Sequence, residues 1–142
     1  MNTTTPRLVD ATGTRRRTQA LAAVGWSSTA IGVRLGMRPE RARNLIHKYR
    51  VQASVSPDIA ARVAALYDQL AGQTGTSWAA ATHAWHAHWP DPSAWIGVDI
   101  DDPDARPAPG WVRRHPAVLL GHIDAQHHDP APGFPPAPRE AS

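Results

Sequence analysis

Cysteine is absent from all 142 residues. Its absence excludes a disulfide framework and any zinc site built on thiolates, and it suits a reducing compartment. Large apolar side chains are scarce, with one phenylalanine and eight leucines beside 25 alanines. Alanine favours helix but fills little volume, so the expectation is an all-α chain with a modest core. No apolar run approaches the roughly 18 residues of a membrane span, and the opening MNTTTPRLVDATG has no apolar stretch of a secretion signal. A soluble, cytoplasmic protein with no membrane partner is expected.

Lysine is nearly missing too, since fourteen of the fifteen cations are arginine. Acids are scarce at the front. Residues 1–50 hold ten Lys+Arg against Asp10 and Glu40, a balance of +8, while residues 51–142 hold five Arg against ten acids, a balance of −5. A basic front half points to a polyanionic partner.

The length fits one small domain with loose ends. Residues 1–13 are polar and interrupted by Pro6 and Gly13, and read as a disordered arm. Thr14 can cap a helix that Gly25 ends. Ser27 or Ser28 can cap a second, short helix through Ile31, Val33 and Leu35, which Gly36 stops. Pro39 suits the first turn of a third helix, in which Ala42, Leu45, Ile46 and Tyr49 share one face.

VQASVS reads as a linker. Ser56-Pro57-Asp58 is a strong helix start, followed by the stripe Ile59, Val63, Leu66 and Leu70. Thr76 or Ser77 opens a further helix that runs through WAAATHAWHAHW, closed by Pro90 and Pro92. WIGVDI is the one strand candidate, within an aspartate- and proline-rich loop. HPAVLLGHIDAQHH leaves room for a last short helix, and the tail from Asp129, with five prolines, reads as disordered. The expected organisation is an arm over 1–13, a helix-turn-helix core over 14–50, accessory helices and an acidic loop over 57–107, and a mostly disordered tail over 108–142.

Numbered from Ser28, the window over 28–45 meets the requirements of a helix-turn-helix. Its fifth residue, Gly32, must be small because the second helix presses on it. Its ninth, Gly36, must take a left-handed backbone. Ile31, Leu35, Met37, Ala42 and Leu45 supply the apolar positions. On the opposite face of the third helix, Glu40, Asn44 and His47 are flanked by Arg41, Arg43 and Lys48. These are residue types that read base edges: Arg reads guanine, Asn adenine and Glu cytosine.

The expected base-reading set is Arg38, Glu40, Arg41, Arg43, Asn44 and His47, and the expected phosphate contacts are Arg15, Arg16, Arg17, Lys48 and Arg50. Arg38 stands where a Ser or Thr cap is usual, which removes a capping bond worth about 0.5–2 kcal/mol.

These elements, with RRRTQALAAVGW before them, VSPDIAARVAALYDQL after them and the segment from Trp95 to Pro103, resemble small helix-turn-helix DNA-binding proteins of actinobacteria and their phages. The resemblance spans residues 14–107 and implies sequence-specific DNA binding and transcription regulation. Members of that group often carry a second helix-turn-helix towards the C-terminus. Here that region is short and ends in the proline-rich tail, so a second module is not expected.

Two alternatives stay open: a helical protein-interaction module with a basic face, and the DNA-binding part of a recombinase or sigma-like factor. The stripe over 57–70 packs either on the 77–89 helix or on a partner chain, so a homodimer through residues 57–89 also stays open.

No catalytic constellation is evident, and neither an enzyme nor a cofactor is expected. His83, His86 and His88 lack the carboxylate of a metalloprotease helix and read as solvated. Asp99, Asp101, Asp102 and Asp104 lack the glycine and distal Glu of a calcium loop and read as an acidic loop. No metal site is expected.

Overall fold

A two-residue clamp brings together the start of the fold and the approach to the longest helix among the described residues. In the computed structural model, which describes residues 7–38, 40, 41, 43 and 53–121, β1 (Val9–Asp10) pairs antiparallel with β2 (Ser54–Val55), Val9 opposite Val55 and Asp10 opposite Ser54. The Ala11 amide extends the pairing by donating to Ala53 O at 2.9 Å. Both strands lie where an arm and a linker were expected, and the strand candidate WIGVDI instead forms turns, with Ile96 74% exposed. Two residues are too short to show alternation, which is why the pattern hid them.

Five helices follow among the described residues: α1 (Thr12–Ala23), α2 (Ser28–Arg34), α3 (Pro57–Leu70), α4 (Trp78–His86) and α5 (Pro116–Leu119), with a 3-10 turn at Pro92–Trp95. The chain is mainly α. Serine caps start three of these helices. Ser27, Ser56 and Ser77 accept from the amides of Ala30, Ile59 and Ala80. α1 departs from expectation: it begins at Thr12 rather than after Thr14, because the Asp10 carboxylate accepts the Thr12 amide at 2.7 Å.

α1 and α2 both end in the paired-bond arrangement that a left-handed residue permits. At α2, Gly36 has φ +85°, its amide donates to Val33 O, and the Met37 amide donates to Gly32 O. At α1, Gly25 has φ +96° and lies against the backbone of Gly75, where a Cβ would stand 2.9 Å from the Gly75 carbonyl oxygen. The Gly75 amide donates to Val24 O and the Ser77 amide to Gly25 O, each at 2.8 Å. This contact ties the α1–α2 turn to the start of α4.

α4 ends one turn before Pro90, at His86. His88 takes the left-handed conformation at φ 63°, with its amide donating to Trp85 O and the Trp89 amide to Ala84 O. A histidine in a glycine's usual place carries no stop signal in the sequence.

α1 packs on both α3 and α4. Leu21, Ile31, Leu35, Val55, Val63, Leu66 and Leu70 form the main core, with Trp26, Met37 and Ile59 against it. The α3 stripe thus packs with residues of α1 and α2, which corrects its expected packing on the 77–89 helix. A second core joins Ala20 to Ala94, Trp95 and Ile100. No helix among the described residues is long and apolar enough to cross a membrane.

Candidate nucleic-acid interface

The segment expected to meet DNA starts at the end of α2. Ile31, Gly32 and Leu35 are buried, and Met37 is half-buried against the main core. The Gly36 turn therefore leaves a fixed platform. Beyond it Arg38 is exposed, and Glu40, Arg41 and Arg43 have helical backbone and exposed side chains. Four of the six expected base-reading residues are thus free of the core. Asn44 and His47, the phosphate candidates Lys48 and Arg50, and the packing positions Ala42 and Leu45 lie outside the described residues, as do Pro39, the arm over 1–6 and the tail over 122–142.

The arginine run on α1 is placed otherwise. Arg16 Nη1 donates to Ile100 O and Asp102 O at 3.2 and 2.8 Å, and Nη2 donates to Pro103 O and Ala105 O at 3.3 and 3.1 Å. Its guanidinium also lies 4.8 Å from the Trp95 ring centroid. Arg17 grips Asp101 with both nitrogens, at 2.8 and 3.0 Å, with its own side chain only 14% exposed. This hydrogen bond holds the Asp101 carboxyl below the usual carboxylate range.

Arg16 and Arg17 are therefore withdrawn from the expected phosphate set. Their donors are committed to the acidic loop, which their charge and fork geometry hold in place. Arg15, half-buried beside them, stays in the set.

Two cations not singled out from the sequence stand by the Gly36 turn. Arg34 lies over the Trp26 ring at 4.8 Å and donates to Ala30 O. Arg62 reaches from α3 to donate to Leu35 O at 3.0 Å, with Asp58 3.6 Å away. They line an open cleft of about 360 Å³ with Leu35, Gly36 and Leu66. The only sequence signal for this was the Asp58–Arg62 spacing, which also fits a solvated helix face.

Among the described residues no cluster of His, Asp or Glu has the arrangement of a metal site, and His83, His86 and His88 are exposed. No family model, no curated protein and no solved structure matches the chain.

Proposed function

We propose that the chain binds double-stranded DNA sequence-specifically through a helix-turn-helix over 28–48, and acts as a transcription regulator. The observation that carries this reading is the Gly36 turn: a left-handed residue at the ninth position, anchored by buried Ile31 and Leu35, leads directly into exposed, helical Glu40, Arg41 and Arg43. A residue at that turn with φ +85° redirects the chain sharply without strain. The face beyond it carries Arg side chains that can donate in pairs to guanine. The +8 balance of residues 1–50 supports the same partner. In this reading residues 38–48 enter the major groove, and Arg15, Lys48 and Arg50 contact phosphates.

The resemblance to actinobacterial and phage helix-turn-helix proteins belongs to this proposal. An electrophoretic shift with plain duplex at two salt concentrations tests it. Binding at low salt that weakens steeply on raising salt supports it, because each neutralised phosphate contributes a slope of about 0.9 in log–log terms. No shift at low salt overturns it and leaves the basic hairpin as a surface for an acidic protein.

A further inference from the structure

A second site lies away from the basic segment. We propose that the cleft between α1, α2 and α4 binds a small, neutral, planar aromatic molecule.

The cleft holds about 270 Å³, and its origin is legible in the residues that face it. Ala22 on α1 stands across from Ala79 and Ala80 on α4, so the two helices meet there through methyl groups and leave the space between them unfilled. Two indoles, Trp26 and Trp89, and Ile31 complete the apolar wall. The indoles are held in place. Trp26 Nε1 donates to Gln73 O at 3.2 Å, and Trp89 meets the His83 ring edge-on at 5.1 Å. A pocket with preset aromatic walls pays little ordering cost when a flat ring enters.

The polar groups define the rest of the ligand. Among the described residues no Asp, Glu, Lys or Arg lines the cleft, and His83 is the one titratable side chain that does. A charged ligand would lose hydration there without meeting a full counter-charge among the described residues. The Ser27 and Ser77 hydroxyls accept the amides of Ala30 and Ala80, so each keeps its own proton to give. They stand at the starts of α2 and α4 and can donate to an oxygen or ring nitrogen on the ligand. An apolar cleft with a few convergent polar groups is the usual form of a small-molecule site. Ile31 and Ser27 belong to the α2 region, so an occupant touches the platform from which the Gly36 turn departs. The site itself does not depend on the DNA-binding reading.

The test is a titration of the full chain with 2-naphthol and, separately, with the 2-naphthoate anion, followed by the NMR signals of the Trp26 and Trp89 indole N–H and the alanine methyls. Expected is saturable movement of the Trp26 and Trp89 signals with 2-naphthol below about 1 mM, and binding at least about tenfold weaker for 2-naphthoate. Exposed Ala79→Leu should abolish the movement while leaving the melting temperature close to the parent's. Ala80→Leu, further in, serves as a second filling variant. Absence of saturable movement, equal binding of the anion, or undiminished binding in a folded Ala79→Leu variant would overturn the proposal.

Discussion

At the scale of single residues, two left-handed positions give opposite predictions. Among the described residues nothing lies within 4 Å of a Cβ placed on Gly36, so what they show resisting a substitution there is the left-handed backbone. Gly36→Ala should cost about 1–2 kcal/mol in urea denaturation, and Gly36→Asn clearly less, because Asn tolerates the left-handed region. Equal costs would mean that the turn is not held by that conformation.

His88 occupies the same backbone region with a side chain. His88→Gly should stabilise the chain by up to about 1 kcal/mol, the relief of strain being partly offset by a more flexible unfolded state. These two positions also mark what the sequence could and could not disclose. Gly25 and Gly36 announce their turns because glycine is the usual solution. His88 announces nothing, so the end of α4 was read as lying at Pro90.

At the scale of elements, the acidic loop and α5 each hang on a few contacts. Removing the Arg16 guanidinium takes a donor from four backbone carbonyls, of which Asp102 O keeps the Ala105 amide. Arg16→Ala should cost about 1–3 kcal/mol and speed amide exchange over residues 99–105, while Arg15→Ala should do neither. Unchanged exchange would show that the loop stands without that anchor.

α5 depends on a titratable cap. His115 Nδ1 accepts the Ala117 amide at 3.0 Å, and its ring lies 5.2 Å from Trp85 and 6.3 Å from Trp78. Burial, and secondarily the nearby His86, lower the His115 pKa below its ordinary value of 6.5. The folded chain thus favours neutral His115, while the unfolded chain takes up the proton first. Stability from this group is complete above pH 6.5 and is lost as pH falls from there through the lower folded value. Melting temperature should drop on acidification through this range, and His115→Asn, which accepts without titrating, should flatten that drop. An unaltered pH profile in the variant would place the effect elsewhere.

The serine-capped helix starts were the most legible feature of the sequence. Ser27, Ser56 and Ser77 cap where their spacing predicts, since each precedes an apolar-periodic run. The partners of α1 were not legible. Arg15, Arg16 and Arg17 form a uniform run in the sequence, and only the tertiary fold separates a half-buried cation from two that are bound to a loop more than eighty residues away. The α3 stripe likewise showed that a partner was needed, without showing that α1 and α2 supply it.

At the scale of the whole molecule, the described arginines stand in two environments. Arg16 is hydrogen-bonded by backbone carbonyls and Arg17 is paired with Asp101, and both serve the fold, while Arg38, Arg41 and Arg43 remain exposed beyond the Gly36 turn. DNA binding through that exposed segment requires that its side chains, rather than overall charge, set the preferred sequence. Selection of bound duplexes from a random pool, carried out in parallel on the parent chain and on Asn44→Ala and Arg43→Ala, measures this directly. The expected result is one enriched motif for the parent, with each variant relaxing at a separate base pair by about 1–3 kcal/mol and keeping its preference elsewhere. No enriched motif for the parent, or the same motif from all three chains, would contradict base reading by this segment.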